Sequence, residues 1–329
     1  MSTEIIERDL QVGARRLHVA EAGDGPLVIC CHGFPGSWRI WRRQLPVIAA
    51  AGWHAVAFDM PGYGGSSRPD QLADYTNERV GRDLVTLIHQ LGHQRAVFMG
   101  HDFGASLVWE TALRYPEAMI GAFVVSVPFS GRSPVRPTEA FAAMGREHFL
   151  HLDYFQTPGV ADAELDAAPA EFLRRIYWAL SADGGYFAVF THPTEGNGYL
   201  DVLPPAPPLP WPWLSVEEFE PIVESYRRSG FTGGLSWYRA LDLNWENTEP
   251  LARAKVEVPV AFAVGAGDPV LQGFAGSDPL ALQAKLVPNL REAVVIPGAG
   301  HFVQFEQTAA LNEVLARTLA AWHPSETRH

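Results

Sequence analysis

The sequence predicts an α/β protein in which a mostly parallel, doubly wound sheet carries an inserted helical cap domain. Three observations point to this class. Short apolar runs alternate with segments of helical periodicity, the alternation stops in the middle of the chain, and reactive polar residues directly follow several of the apolar runs. Strands that alternate with helices form parallel sheets covered on both faces, and 329 residues suffice for one large core and an insertion.

Six short apolar runs, rich in Val, Ala and Phe and bounded by Gly, Pro or Asp, predict buried strands. They cover Pro26–Cys31, His54–Phe58, Arg95–Met99, Ile120–Val127, Val258–Val264 and Ala293–Ile296. Segments with helical periodicity lie between these runs. The predicted helices cover Trp38–Ala50, Asn77–Leu91, Ala105–Tyr115, Leu280–Leu286 and Gln307–Trp322.

The alternation breaks between about Pro128 and Pro250, where helical segments at Glu164–Leu180 and Val216–Ser229 have no buried strand between them. Leu203–Pro212 holds six prolines in ten residues. Such a run excludes a helix or a central strand and predicts an extended loop. We therefore predict a core in two parts with a helical cap between them, at residues 1–128, 251–329 and 129–250 respectively.

Composition excludes several classes of protein. The net charge is −12 and no basic cluster stands out, so a nucleic-acid partner is not expected. No apolar run reaches the ~18 residues of a membrane span, and no basic segment precedes an apolar stretch at the N-terminus. Adjacent Cys30 and Cys31 would point to opposite faces of a strand, as reduced buried side chains. We expect a cytoplasmic protein, and the sequence leaves open whether it forms a homodimer.

The motif GHDFG, residues 100–104, joins a predicted strand to a predicted helix. A Gly-x-nucleophile-x-Gly pattern in this context forms a strained turn on which the central residue protrudes. The N-terminus of the following helix would keep the Asp102 carboxylate ionised. Taken alone the motif is weak, because many Asp residues simply cap helices.

Two further residues complete a catalytic pattern. Asp268 follows the strand in VAFAVGAGDPVL, and His301 lies in the loop of AVVIPGAGHFVQF. The order Asp102, Asp268, His301 is that of nucleophile, acid and base in enzymes with such an elbow. The motif HGFP, residues 32–35, would supply an oxyanion loop, and we expect the backbone N–H groups of Phe34 and Phe103 to converge on an oxyanion.

At these motifs the chain resembles the soluble-type epoxide hydrolases of the α/β-hydrolase fold. The resemblance covers nearly the whole chain and rests on HGFPGSWRIW, DMPGYGGSSRP, GHDFGASLVWE, YFQTPGVADAELD, FTGGLSWYRALDLNWE, GAGDPVL and GAGHFVQFE. The motifs of the predicted cap are the most specific, because dehalogenases share those of the core. The resemblance implies a small-molecule epoxide substrate, an aspartate nucleophile, a His–Asp pair that activates water and two tyrosines that hold the epoxide oxygen, without a cofactor or metal.

Carried over residue by residue, the resemblance makes Asp102 the nucleophile, His301 the base and Asp268 its orienting acid. Tyr238 in GGLSWYRALD matches one of the two tyrosines. The position of the other is His151, which departs from the family pattern. A histidine there is similar to a minority branch that includes an epoxide-hydrolase-like bacterial virulence factor.

We favour His151 over the nearby Tyr154 as the second donor to the epoxide oxygen. A histidine donates from its neutral or its cationic form. Its charge would therefore depend on pH, and we expect activity to fall at alkaline pH. Substrate contacts are expected from Phe34, Trp38, Phe103 and Tyr154.

The implied reaction converts an epoxide and water into a vicinal diol through a hydroxyalkyl ester on Asp102. The nearest alternative is a haloalkane or haloacid dehalogenase on the same fold. Dehalogenases need side-chain N–H donors for the leaving halide, or an arginine that pairs with the carboxylate of the substrate. The side chains of Phe103 and Phe34 supply neither. A binding or effector protein without turnover is the alternative from another class, because a fold does not fix a function.

Overall fold

In the computed structural model, which describes residues 3–324, eight strands form one sheet in the order β1-β2-β4-β3-β5-β6-β7-β8. The pairs β1–β2 and β2–β4 are antiparallel, and all other neighbours are parallel. The strands are β1 Ile6–Val12, β2 Arg15–Ala22, β3 Leu27–Cys31, β4 His54–Phe58, β5 Ala96–His101, β6 Met119–Val125, β7 Val260–Gly265 and β8 Leu290–Ile296.

Among the described residues, six α-helices accompany the strands, and eight more lie between β6 and β7. The first group is α1 Leu45–Ala50, α2 Asn77–Gln90, α3 Phe103–Arg114, α12 Pro279–Leu286, α13 Val303–Glu306 and α14 Thr308–Trp322. The second group is α4 Pro137–Gly145, α5 His151–Tyr154, α6 Val160–Ala167, α7 Pro169–Ala179, α8 Tyr199–Val202, α9 Val216–Ser229, α10 Thr232–Arg239 and α11 Leu241–Asn247. None of these helices of residues 3–324 is long and apolar enough to cross a bilayer.

The predicted fold class is confirmed. The central strands β3 and β5 are buried at every residue, as the apolar runs indicated. The N-terminal strands β1 and β2 were not predicted. They are antiparallel, and β1 is exposed over most of its length, so its sequence lacks the continuous apolar run of a buried strand.

Two predicted helices are each divided in the structure, and each division is explained by a proline close to it. The segment predicted as Trp38–Ala50 forms a 3₁₀ turn at Trp38–Trp41 and then α1, in whose first turn Pro46 lies. The segment predicted from Glu164 is divided between α6 and α7 because Pro169 begins α7. Proline has no N–H to donate within a helix and fits at its first turn.

We refer to residues 126–259, between β6 and β7, as the inserted segment; all of them are described, and they hold no strand beyond an isolated bridge between Trp211 and Leu214. Hydrogen bonds join this segment to the loop after β3. The Tyr177 hydroxyl donates to the Pro35 carbonyl (2.8 Å), and the Tyr226 hydroxyl donates to the Gly36 carbonyl (3.1 Å). The segment is thereby fixed over the carboxyl ends of the parallel strands, where ligands collect in open α/β sheets.

Candidate active site

Asp102 occupies a sharp turn between β5 and α3. Its backbone has φ 55° and ψ −119°, a conformation that L-residues rarely adopt. Glycine is required on both sides of it: a Cβ on Gly100 would lie 2.3 Å from the Gly104 carbonyl oxygen, and a Cβ on Gly104 would lie 2.2 Å from the Cys31 carbonyl oxygen. The predicted elbow is therefore present, with the carboxylate at the carboxyl edge of the sheet.

The Asp102 carboxylate is held by backbone donors. The Phe34 N–H donates to Asp102 Oδ1 at 2.8 Å, and the Phe103 N–H also bonds to this carboxylate. Burial raises the pKa of Asp102, whereas His301 and the two N–H groups oppose that rise. The two predicted oxyanion donors thus converge on one carboxylate.

His301 lies between two carboxylates. Its Nδ1 is 3.2 Å from Asp268 Oδ1, and its Nε2 is 3.8 Å from Asp102 Oδ2. Burial disfavours the imidazolium, but the charges of Asp268 and Asp102 outweigh burial and raise the pKa of His301. The structure therefore brings together the three residues that the sequence indicated as nucleophile, acid and base.

Ser126, which the sequence analysis did not single out, completes this group. Its hydroxyl donates to Asp268 Oδ2 at 2.6 Å, and Ser126 Oγ also lies 3.0 Å from His301 Nδ1. Ser126 has a positive φ of 77°, which is strained for a serine. Its position directly after β6, at the edge where the other reactive residues lie, was the signal that could have identified it.

Glu306 is a second residue that the sequence motifs did not indicate. It is partly buried, and its carboxylate accepts the N–H groups of Ala182 (2.8 Å), Gly300 (2.9 Å) and Phe302 (3.1 Å). Burial raises the pKa of Glu306 against the effect of these donors. Since Gly300 and Phe302 flank His301 and Ala182 belongs to the inserted segment, Glu306 anchors the loop of the base to that segment.

A cavity of about 270 Å³ opens above Asp102. Besides Asp102 and His301, polar groups in its wall come from Ser106 and from four residues of the inserted segment. Those four are His151, Tyr186, Tyr199 and Tyr238. The remaining wall is apolar and includes the side chains of Phe34 and Phe103, which pack edge-on against the Tyr238 ring with ring centroids 5.4 Å and 4.6 Å away. Within residues 3–324, no three His, Cys, Asp or Glu side chains are placed to share a metal ion.

His151 lies beside Tyr238 in this wall, with ring centroids 5.8 Å apart. Burial, with a smaller contribution from His301, lowers the pKa of His151 to about 3. The side chain is therefore neutral at neutral and alkaline pH. This corrects the expectation of an alkaline loss of activity through His151, because the largely apolar wall that surrounds this imidazole comes from residues distant in sequence.

Two residues predicted to contact substrate lie elsewhere. Trp38 belongs to the 3₁₀ turn after the HGFP loop. Its backbone N–H donates to Asp59 Oδ1 at 3.0 Å, and its indole ring lies under the Arg39 guanidinium. It borders a separate polar hollow. The Tyr154 hydroxyl donates to Glu164 Oε2 at 2.8 Å, so a carboxylate outside the cavity holds it. Of the two candidates for the second donor, the structure brings His151 to the cavity.

Comparisons with known proteins agree with this geometry. Residues 26–158 match the family described as "alpha/beta hydrolase fold". The chain is 42% identical over 316 residues to epoxide hydrolase A of Mycobacterium tuberculosis. The aligned region covers 94% of this chain and 97% of the relative. Bifunctional epoxide hydrolase 2 of Sus scrofa is 35% identical over 92% of this chain, which spans 53% of that longer protein. The crystal structure of epoxide hydrolase A from Mycobacterium thermoresistibile superimposes with a TM-score of 0.88 at 40% identity, over 96% of this chain and 98% of that one.

Proposed function

The chain belongs to the epoxide hydrolases of the α/β-hydrolase fold, and on that premise we propose that it converts an epoxide and water into a vicinal diol through a covalent ester on Asp102. One observation supports the proposal above all others. The Asp102 carboxylate and the two side-chain donors Tyr238 and His151 line the same cavity. A strained ring held among these three groups can be attacked at carbon while its oxygen accepts hydrogen bonds.

In the first step, an oxygen of Asp102 attacks a ring carbon, and the bond from that carbon to the epoxide oxygen breaks. Oδ1 already accepts the Phe34 N–H, so we assign the attack to Oδ2. The developing alkoxide accepts hydrogen bonds from Tyr238 and His151 and takes the proton of the Tyr238 hydroxyl; the proton that His301 removes from water in the second step restores this hydroxyl. Burial raises the pKa of Tyr238 further above its usual value, so this side chain is a neutral donor.

In the second step, His301 Nε2 removes a proton from water, and the water oxygen attacks Cγ of the Asp102 ester. The resulting oxyanion accepts the N–H groups of Phe34 and Phe103. The bond between Cγ and Oδ2 then breaks, and the diol leaves with that oxygen. Asp268 holds the imidazole at Nδ1 and stabilises its positive charge.

Ester formation also prepares the base for this second step. The negative charge of Asp102 is one cause of the raised pKa of His301. The ester is uncharged, so the pKa of His301 falls once Asp102 has reacted. This change favours the neutral imidazole at the point in the cycle where it must accept a proton.

The cavity wall indicates an uncharged substrate. Its described lining residues include no Arg or Lys that would pair with a substrate carboxylate. They also include no Trp or Asn side chain that would donate an N–H to a leaving halide, which disfavours dehalogenation. We further propose that residues 129–250 act as the cap domain, since His151 and Tyr238 both come from this part of the chain. A cytoplasmic location stays a prediction, and the question of a homodimer stays open.

A product assay tests the proposed function. The purified protein is incubated with terminal, styrene-type and bulky internal epoxides, and in parallel with a haloalkane and haloacetate. We expect diol from at least one epoxide class, no halide release, and no diol from Asp102→Ala. Halide release, or an absence of diol across the whole epoxide panel, would contradict the proposal and favour the dehalogenase or the non-catalytic alternative respectively.

A further inference from the structure

A row of hydrogen bonds joins His151 to two tyrosines that also border the cavity. The Tyr186 hydroxyl lies 2.7 Å from His151 Nδ1 and 3.0 Å from the Tyr199 hydroxyl. Both tyrosines are almost completely buried. None of the motifs that carry the resemblance includes either tyrosine, and the reaction as derived above does not use them.

Only one direction of these hydrogen bonds gives every hydroxyl proton an acceptor. If Tyr199 donates to Tyr186, then Tyr186 donates to His151 Nδ1, and both protons are bonded. In the reverse direction, Nδ1–H donates to Tyr186 and Tyr186 donates to Tyr199. The Tyr199 proton then has no other acceptor among residues 3–324. Tyr199 borders the cavity but is only 2 % exposed, so its proton depends on an acceptor within the protein, and a buried donor without one is costly. The first direction is therefore favoured.

That direction defines the tautomer of His151. In a neutral imidazole, one ring nitrogen accepts and the other carries the proton. Since Nδ1 accepts from Tyr186, Nε2 carries the proton. Nε2 has no hydrogen-bond partner among the described residues and is not sealed from solvent, because His151 borders the cavity. The unbonded Nε2–H is thus available to a molecule bound in the cavity.

Tyr199 also limits the orientation of the imidazole. The Tyr199 ring lies parallel to the His151 ring, with an interplanar angle of 6° and centroids 6.2 Å apart. Tyr199 is itself held at the start of α8, where its N–H donates to Glu164 Oε2 at 3.0 Å and the Leu200 N–H donates to Oε1 at 2.9 Å. A carboxylate on α6 therefore anchors the tyrosine that donates to Tyr186.

We propose that Tyr186 is a positioning residue that holds His151 as the Nε2–H tautomer, with this N–H directed at the epoxide oxygen. The proposal rests on the proposed function for its effect on rate, whereas the tautomer itself does not depend on turnover. It accounts for how a histidine can replace a tyrosine here. A phenol has a single donor atom, whereas a neutral imidazole has two tautomers, and a hydrogen-bond partner is needed to select the one that donates from Nε2.

The test combines a spectrum with a transient-kinetic measurement. The protein is labelled with ¹⁵N-histidine, and the His151 signals are assigned by comparison with His151→Gln. We expect the wild-type spectrum to show Nε2 protonated and Nδ1 unprotonated, and Tyr186→Phe to lose this single tautomer. In single-turnover kinetics, Tyr186→Phe should slow ester formation by about tenfold, the effect of one neutral hydrogen bond, while ester hydrolysis by His301 keeps its rate.

Two variants keep the test decisive. Tyr115→Phe is the matched control, because the Tyr115 hydroxyl bonds Arg82 at the opposite end of α3 from Asp102; it should leave both rates unchanged. Tyr199→Phe removes only the donor to Tyr186 and should give a smaller loss than Tyr186→Phe, which matters if the latter folds poorly.

A wild-type spectrum with Nδ1 protonated, or equal ester-formation rates in Tyr186→Phe and Tyr115→Phe, would overturn the proposal. A wild type that forms neither ester nor diol instead contradicts the proposed function, and the spectrum still decides the tautomer.

Discussion

His301 Nε2 lies 3.8 Å from Asp102 Oδ2, which is beyond hydrogen-bond distance although both side chains line one cavity. This separation suits a carboxylate nucleophile. A serine must give a proton to the base before it attacks, whereas an ionised aspartate attacks directly and leaves the base for water. The product also requires a carboxylate: serine and an epoxide would give an ether that water does not cleave, but aspartate gives an ester that water hydrolyses.

Replacing the base should separate the two steps. His301→Gln keeps Asp102 and the donors Tyr238 and His151, so the ester still forms, but water is no longer activated. We expect turnover to fall by about 10²–10⁴-fold, the usual contribution of a general base. Mass spectrometry of the intact protein should then show the added mass of the epoxide, and a proteolytic digest should place it on the peptide that contains Asp102. A variant that loses turnover without added mass would show that His301 acts before the ester forms.

Removing the Tyr238 hydroxyl should slow ring opening. Tyr238→Phe deletes one of two donors to the alkoxide, and loss of one such donor typically costs about 10²-fold. The loss should appear in the single-turnover rate of ester formation and not in the rate of ester hydrolysis. Tyr63→Phe is the matched control: Tyr63 is also a buried tyrosine, but its hydroxyl has no hydrogen-bond partner among residues 3–324 and it does not line the cavity. Similar rates in the two variants would exclude Tyr238 as a donor.

The pH dependence should come from His301 and not from His151. Since the pKa of His301 is raised, it is protonated below that pKa and cannot accept a proton from water, so ester hydrolysis should slow as the pH falls. The ester lacks the Asp102 charge, so the midpoint for hydrolysis should lie at a lower pH than the His301 pKa measured in the free enzyme by NMR. With a pKa of about 3, His151 keeps its neutral form across this range.

The comparison that checks this prediction uses His151→Phe. This variant should lose activity at every pH by a similar factor, so its profile should keep the shape of the wild-type profile on the alkaline side. If the wild type loses activity at alkaline pH and His151→Phe does not, His151 titrates in the working range and the burial argument is wrong.

Glu306→Gln should weaken both the fold and the catalytic loop. The two carboxylate oxygens accept three N–H groups, whereas a glutamine keeps one oxygen and turns its NH₂ group toward the remaining donors. We expect the free energy of unfolding to fall by about 1–3 kcal/mol, the cost of a buried donor left without an acceptor. Urea denaturation measures this change. Glu313→Gln, at an exposed position of α14, is the control and should leave the unfolding free energy within about 0.5 kcal/mol of the wild type.

The buried parallel strands could be predicted from the sequence because each is a continuous apolar run. The prediction for His54–Phe58 matches β4 at both ends. The prediction for β8 covered only its second half, since β8 alternates between partly buried and exposed residues from Leu290 onward. An edge strand with one exposed face lacks the apolar run that identifies a central strand.

The catalytic motifs were predictable for a related reason: Asp102, Asp268 and His301 each follow a strand, and parallel strands bring such residues to one edge. Other features depend on packing between distant elements, which local patterns do not show. Ser126 meets Asp268 only because β6 and β7 are neighbours. Trp38 is close to the oxyanion loop in sequence, but its turn directs the ring to a different hollow.

The origin of the first diol oxygen shows whether Asp102 forms an ester with the substrate. With enzyme in excess over an epoxide substrate in ¹⁸O-water, a single turnover allows each Asp102 carboxylate to react once. The account predicts diol largely without the label, and one ¹⁸O atom in the recovered peptide that contains Asp102. Fully labelled diol from the first turnover, with Asp102 unlabelled, would show that water opens the ring directly and that no ester on Asp102 is formed.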